Sequence, residues 1–322
     1  MSGGQPIDIE VFVLTYNRSS LIGATIESLL AQKQPASRIC VLDNGSTDET
    51  EKIVRSFAAR GVELVRRNTN DPRACWSELQ AMARGPWTML FHDDDLLHPN
   101  YLFDVSAVLS KVANATVAVS AMRIHRDPEG AAWEQVRGSR AQIWTGRQLA
   151  DRLYRGFAMP FCSAIYRTDV LRRTLPQFDI YGKIFDRPFV LEAVCAGKAV
   201  VMLDPYVKYR THSQQDSTDH STGPFLSEVL ALQGYYRRIL GERLSDSPGR
   251  AFLRRNYRNL TSEFNRLNRG REIPLEREAF FRCAIEAGAM SKKSLHFGRC
   301  YGALMAVPRR IERAIKKFLR LL

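Results

Sequence analysis

Three consecutive carboxylates, Asp93-Asp94-Asp95, follow the apolar run Trp87 to Phe91 in the stretch "FHDDDLLHPNY". Like charges this close repel one another, and crowded carboxylates are tolerated where a divalent cation offsets them. Hard oxygen donors suit Mg²⁺ or Mn²⁺, ions that keep several waters and complete their shell with substrate phosphates. The competing reading is a solvated turn in which one aspartate caps the next helix. Two features favour the cation. The triplet ends what reads as a buried strand, and Leu96-Leu97 continue apolar instead of opening into a loop.

The elements that must position these carboxylates alternate strand and helix. "IEVFVLTYN" carries no charge after Glu10 and reads as a strand buried on both faces of a parallel sheet. "RSSLIGATIESLLAQ" has helical apolar spacing, with Ser19 or Ser20 as its cap. "RICVLDNGSTDET" gives a second strand ending at Asp43, after which Ser46 or Thr47 opens a helix with acid in its first turn. "VELVRR" is a third strand, "CWSELQAMARG" a helix, and "PWTMLFH" the strand that delivers the aspartates. This alternation predicts a doubly wound α/β sheet with right-handed crossovers, whose ligands bind outside the carboxyl ends of the strands. No GxGxxG follows the first strand, which argues against a dinucleotide-binding dehydrogenase. Further on, "VAVSAMRIHR" reads as a strand, "TGRQLADRLYRG" as a helix capped by Thr145, and "SAIYRTDVLRR" as a strand turning into a helix. A helix starting near Asp186 or Pro188 and stopping at Gly197 precedes a strand "AVVMLD". Beyond "YVKYRTHSQQDSTDHSTG" the pattern becomes helical, so a boundary falls near residue 217, separating a domain over 1–217 from a helical, basic region over 218–322.

Taken in order and spacing, "VFVLTYNRSSLIGATIESLLAQ", "ICVLDNGSTDET" and "ARGPWTMLFHDDDLLHPNYL" resemble the nucleotide-sugar-binding half of the family 2 glycosyltransferases, inverting enzymes of the GT-A fold. The resemblance covers roughly residues 8–215 and implies a GT-A-type, mostly parallel sheet flanked by helices. It implies that Thr15, Tyr16, Asn17 and Arg18 with Asp43 hold the nucleoside, Tyr16 against the base and Asp43 accepting from the base N3–H. The Asp93-x-Asp95 element would sit at ribose and metal, Asp95 as the direct ligand with Asp93, unless Asp94 replaces one of the pair, and Asp93 and Asp94 would contact the donor. The cation, Mn²⁺ or Mg²⁺, offsets charge growing on the departing nucleoside diphosphate.

Inverting transfer needs a base for the acceptor hydroxyl, which the family places at the start of a helix roughly ninety residues past the metal motif. Asp186 fits, against the alternative of an ordinary helix cap beside Arg187 and Pro188; Glu192 and Asp179 are weaker candidates. The family often adds a histidine after the following strand that reaches metal or diphosphate; His212 matches, and Arg210 could pair with the diphosphate instead. Three positions depart from the family pattern. "ACWSELQ" replaces a turn that usually contains Arg-Asn, His92 stands where an acid is frequent, and Phe185 replaces a second carboxylate beside Asp186.

The chain has 322 residues and a formal net charge of +13. Residues 250–322 hold 18 basic and 6 acidic side chains, so the excess lies in the C-terminal quarter. There, Ile311, Ala314, Ile315, Phe318, Leu319 and Leu322 form an apolar stripe opposite Arg309, Arg310, Arg313, Lys316, Lys317 and Arg320. Residues 308–322 therefore read as an amphipathic helix for an anionic membrane surface, the alternative being a helix docked on protein. The N-terminus lacks a signal peptide pattern, no apolar run reaches transmembrane length, and the six scattered cysteines suit reduced thiols. The expectation is a cytoplasmic protein, peripheral on the cytoplasmic face of the membrane. Its partners would be a UDP- or dTDP-sugar donor and a glycan or lipid-linked acceptor, in bacterial cell-surface polysaccharide synthesis. Two rivals are weaker. A nucleotidyltransferase would carry a glycine- and basic-rich loop after the first strand, and nucleic-acid binding would need more exposed aromatics than the basic region offers.

Overall fold

The computed structural model describes residues 7–125, 132–138, 140–157, 160–211, 224–242, 246–253, 255, 282 and 285, with side chains of 125 and 224–227 left out. These residues group into two compact units. One draws on Met1–Leu153, Phe157–Gln177 and Asp186–Ser213, the other on Tyr154–Gly156, Phe178–Phe185 and Gln214–Leu322. His212 and the amphipathic segment 308–322 lie outside the described residues.

The first unit opens with β1 (Ile9–Thr15), α1 (Ile22–Leu30), β2 (Arg38–Asp43), α2 (Thr50–Ser56), β3 (Val62–Arg66), α3 (Pro72–Met82) and β4 (Trp87–His92). β1 pairs parallel with β2 and β4, and β2 parallel with β3. Helical crossovers thus cover both faces of these strands, which is why Val11, Phe12, Val13, Val41, Leu42, Met89 and Phe91 are all buried. Burying each such side chain contributes about 1.5–3 kcal/mol. The chain continues through β5 (Leu96–Leu97), α4 (Tyr101–Leu109), β6 (Ala115–His125), β7 (Ala141–Trp144), α5 (Gly146–Tyr154), β8 (Ile165–Arg167) and α6 (Thr168–Arg173). It closes with α8 (Asp186–Cys195) and β9 (Lys198–Arg210); α7 (Phe178–Tyr181) and α9 (Pro224–Leu240) belong to the second unit.

The sheet order is β3-β2-β1-β4-β8-β6-β9-β5, with β7 on β9. It is mixed: β8 runs antiparallel to β4 and β6, and β6 and β9 are parallel to each other. The strand predicted as "AVVMLD" extends through Tyr209 to Arg210, because β6, β7 and β5 all pair with it. Leu96-Leu97 form the short strand β5 on β9, so the aspartates lead into a strand and α4 starts only at Tyr101.

Several predicted caps are corrected. α1 begins at Ile22 without a side-chain cap, since the Arg18 carbonyl accepts from the amides of Leu21 and Ile22 at 2.9 Å each. α2 begins at Thr50 rather than at Ser46 or Thr47, with the Thr50 amide donating to Asp48 at 3.0 Å; Ser46 is committed to Asn17 instead. α3 starts at Pro72, with Asp71 accepting from the Arg73 and Ala74 amides, so proline occupies the first helical turn where its missing N–H costs nothing. Thr145 caps α5 as expected, reciprocated by Gln148. No helix among the described residues is long and apolar enough to cross a membrane.

Candidate active site

Register places the site. Thr15 pairs with Asp43 across β1 and β2, and Leu14 with His92 across β1 and β4, so three parallel strands end side by side. The crevice at such carboxyl ends, where crossovers diverge, is where α/β sheets bind ligands.

The loops after β1 and β2 interlock there. The Asn17 amide donates to Ser46 Oγ at 2.9 Å, the Thr47 amide to Asn17 Oδ1 at 2.8 Å and the Ser19 amide to Asp48 at 3.0 Å. Asn17 takes φ +51°, a left-handed conformation that asparagine tolerates and that turns the loop sharply after β1. Asp43 is fully buried: one oxygen accepts from the Ser46 amide at 2.9 Å and the other lies 3.6 Å from Arg66. Tyr16, by contrast, is 37% exposed at the mouth.

The three aspartates separate by role. Asp93 turns toward the β1 loop, accepting from the Tyr16 amide at 3.3 Å and standing 3.6 Å from Arg18 Nε. Asp94 gives its carbonyl to the Arg210 guanidinium. Asp95 is wholly buried, with Oδ1 accepting from the Arg210 amide at 3.1 Å and Oδ2 lying 3.7 Å from His92 Nδ1. The Thr25 hydroxyl spans the turn, reaching the carbonyls of Asp93 and Asp95 at 2.8 and 3.0 Å. Burial, followed by repulsion from Asp94, pushes Asp93 up to about 6, and Arg18, the Thr15 hydroxyl and His92 act against that rise. The same two causes raise Asp95 to about 6, opposed by His92, Cys162 and the Arg210 amide.

Arg210, the alternative to His212 for the diphosphate, is engaged with protein groups. It is buried, and its Nη2 donates to the Leu21 carbonyl at 3.0 Å and to Thr25 Oγ1 at 2.7 Å. A guanidinium presents several donors in a rigid fork, which suits bracing a turn whose carbonyls face inward. Sequence reasoning missed this brace because β9 lies far along the chain from the triplet.

Asp186 is the first residue of α8 and is half-buried. Burial raises its pKa; the charge of Arg187 and the amides of the helix start work against this, as does His92. His92 thus acts electrostatically on Asp186 and Asp95 alike. Around them Trp76 stacks on Phe161 at 6.0 Å and meets Phe189 edge-on at 4.9 Å, and His92 lies 6.1 Å from Phe161. Trp76, at the position flagged as a departure, therefore builds an aromatic wall between α3 and α8. Asp179 falls in the other unit, and Glu192 is exposed on α8.

The residues present fit a divalent cation. Asp95 Oδ2 is buried and receives no hydrogen bond, and among the described residues His92, Asp95 and Cys162 bring donor atoms within 4.8 Å of one another. Cys162 had no signal in the sequence, being one of six scattered cysteines.

Known proteins resemble this chain in sequence and in fold. The profile described as glycosyl transferase family 2 matches residues 10–175, more than half of the chain. An uncharacterized glycosyltransferase of Mycoplasma pneumoniae is 29% identical over 111 residues, 32% of this chain and 37% of that protein. The succinoglycan biosynthesis protein ExoO of Rhizobium meliloti is 30% identical over 96 residues, 30% of this chain and 28% of that one. The chain thus matches only about a third of the length of these relatives. Residues 1–349 of Staphylococcus aureus TarS, solved with UDP, superpose with a TM-score of 0.59 at 18% identity, covering 91% of this chain and 92% of that one. A mannosyltransferase of Pyrobaculum calidifontis, solved with GDP-Man and Mn²⁺, gives 0.50 at 14% identity, covering 91% and 84%. The carboxylates at the ends of β2 and β4, the mixed sheet beyond them and the match over residues 10–175 lead to one conclusion: this chain belongs to glycosyltransferase family 2 and has the GT-A fold.

Proposed function

We propose that this protein transfers a sugar, with inversion, from a nucleoside diphosphate donor to a hydroxyl of a glycan or lipid-linked acceptor. The observation that carries the reading is the convergence of Tyr16, Asp43, Asp93 and Asp95 on one strand-end crevice. Tyr16 is exposed to lie along a base, and Asp43 accepts from the base N3–H. Asp93 ties the nucleoside loop to the triplet and Asp94 faces the donor. Asp95 holds Mn²⁺ or Mg²⁺, with His212 as a further ligand from outside the described residues. A bound cation supplies charge to offset the departing diphosphate.

Asp186 accepts the proton of the acceptor hydroxyl. Its raised pKa suits a base, because a carboxylate shifted toward neutral pH accepts a proton more readily. Placement in cell-surface polysaccharide synthesis draws support from ExoO, named for succinoglycan biosynthesis. Work at the cytoplasmic face of a membrane, through the basic stripe of 308–322, draws on the sequence alone. Thermal stabilisation by a panel of UDP-, dTDP- and GDP-sugars, with and without Mn²⁺, tests the reading. Stabilisation by one donor that requires the cation and is lost in Asp95→Asn supports it; no response to any donor overturns it.

A further inference from the structure

Asp95 leads directly into β5, a strand of only two residues at the end of the sheet order. A strand this short holds its register weakly by itself, so the turn that carries the aspartates depends on what else grips β5. From α1, Ser28 Oγ accepts from the Leu97 amide at 3.1 Å and Gln32 Nε2 donates to the His98 carbonyl at 2.9 Å. A second grip comes from residues 132–138, an irregular strap between β6 and β7. The Trp133 ring meets His98 at 5.1 Å in an edge-to-face contact, and the Lys208 ammonium lies 4.2 Å over the same ring. Lys208 is the β9 partner of Leu96, two residues before the Arg210 whose amide donates to Asp95. His98 Nδ1 accepts from the Asn100 amide at 3.1 Å, so a neutral ring carries its proton on the other nitrogen, and the Glu134 carbonyl accepts it. From His98 the contacts continue edge-on to Tyr206 at 5.6 Å and from Tyr206 to Tyr101 at 5.1 Å. Tyr101 Oη donates to the Ser163 carbonyl at 2.6 Å, in the tight helical turn Phe161–Ser163 that also holds Cys162. The strap itself is tied down on either side of its middle. Glu134 pairs with Arg123 at 2.7 Å, and the Arg137 amide donates to Asp204 at 2.7 Å. Gly138, at φ +66°, passes so near Asp104 that a Cβ there would lie 2.9 Å from its carboxylate oxygen.

We infer that Trp133 is a positioning residue for the aspartate turn: by packing on His98 and Lys208 it holds β5 against β9, and so holds the Asp95 carboxylate beside the Arg210 amide. The inference rests on the reading of Asp95 as the metal ligand. An indole ring serves both neighbours, because its π face attracts a cation while its broad apolar surface packs against an imidazole. Lys208 is buried, where water competes little for the ammonium and the attraction is stronger. Without the ring, β5 keeps its two pairs with β9 and its bonds to α1 but loses its packing on the strap. Groups that orient a metal ligand without touching the ion contribute about 10–100-fold to metal affinity.

Calorimetry of the full chain with UDP, dTDP or GDP, whichever binds the parent, in Mn²⁺ and in chelator, tests this. Trp133→Ala should weaken Mn²⁺-supported binding by roughly tenfold or more and leave binding in chelator nearly unchanged. Trp133→Phe, which keeps a ring over Lys208, should restore most of the loss. Val136→Ala, on the same strap and packed against the core, should keep the parental affinity. Hydrogen exchange at the Leu97 and His98 amides should quicken in Trp133→Ala, since their bonds to Ser28 and to the Tyr206 carbonyl hold β5 in place. Circular dichroism checks that each variant folds, and Trp133→Leu, which fills more of the space, is read in place of an alanine variant that does not. Unchanged Mn²⁺-supported affinity in the folded variant overturns the inference, as does an equal loss in Val136→Ala, which would make the strap a general stabiliser. Parental binding that Mn²⁺ does not strengthen, or that Asp95→Asn leaves intact, overturns the metal reading and the inference with it. Loss of Mn²⁺-supported binding in Asp95→Asn without loss in the Trp133 variant overturns the inference alone.

Discussion

Replacing Asp93 with asparagine should make the metal-free protein more stable. Asp93 is only 8% exposed, and burial followed by the Asp94 charge raises its pKa from 3.8 to about 6. An acid whose folded pKa exceeds its unfolded value binds its proton more tightly when folded. Its stabilising protonation is therefore complete below the unfolded value and is lost as pH rises through the folded one. A tenfold difference in proton affinity between the folded and unfolded chain corresponds to about 1.4 kcal/mol, so the ionised carboxylate costs up to roughly 3 kcal/mol above neutrality. Asparagine mimics the neutral acid and keeps an oxygen for the Tyr16 amide, while the Arg18 attraction it forfeits already tempers the raised pKa. Urea unfolding in chelator at pH 8 should show a gain of about 1–3 kcal/mol, shrinking to nothing near pH 4. Added Mn²⁺ and UDP should stabilise the parent more than the variant, because the parent's charge repulsion is what the ligands relieve. A variant less stable than the parent at pH 8 without metal, or a difference independent of pH, would refute the reasoning.

Asp186→Asn should reduce kcat by on the order of 10²–10⁴ while leaving donor binding by calorimetry nearly unchanged, and near-parental turnover would remove Asp186 as the base. Arg210→Lys should cost about 2–4 kcal/mol in denaturant unfolding, because the buried carbonyls of Asp94 and Leu21 and the Thr25 hydroxyl lose donors a single ammonium cannot replace. A loss below measurement error there would show that the turn does not depend on the brace. Tyr16→Ala should weaken nucleotide binding by about 1–3 kcal/mol without shifting Tm beyond a degree or two, an exposed side chain contributing little to folding. Deleting residues 308–322 should release the protein from vesicles containing anionic lipid and spare transfer to a soluble acceptor, and unchanged vesicle sedimentation would refute the membrane role.

The strand-helix alternation from Ile9 to His92 was legible because both periodicities are local and the strands lack charge. Helix starts were less so. Ser46 resembles a cap by type, yet its hydroxyl is taken by Asn17, a partner supplied by another loop. Short-range chemistry names the residues able to cap but not the one that wins when two loops compete for the same hydroxyl. Trp76 and His92 were visible as departures from the family pattern, but their shared contact with Phe161 was not.

By itself the sequence determined which chemistry was available: three carboxylates after a buried strand, a tyrosine and an aspartate at neighbouring strand ends, and an acid opening a later helix. Only the tertiary structure decided how the three aspartates divide, Asp93 toward Arg18, Asp94 by its carbonyl to Arg210, and Asp95 toward His92 and Cys162. The physical reason lies in the mixed sheet. β8 slots antiparallel beside β4 and carries the Cys162 turn to the triplet, and β9, pairing with β5, brings Arg210 beneath it. Such pairings are set by long-range strand register, and no local periodicity encodes them.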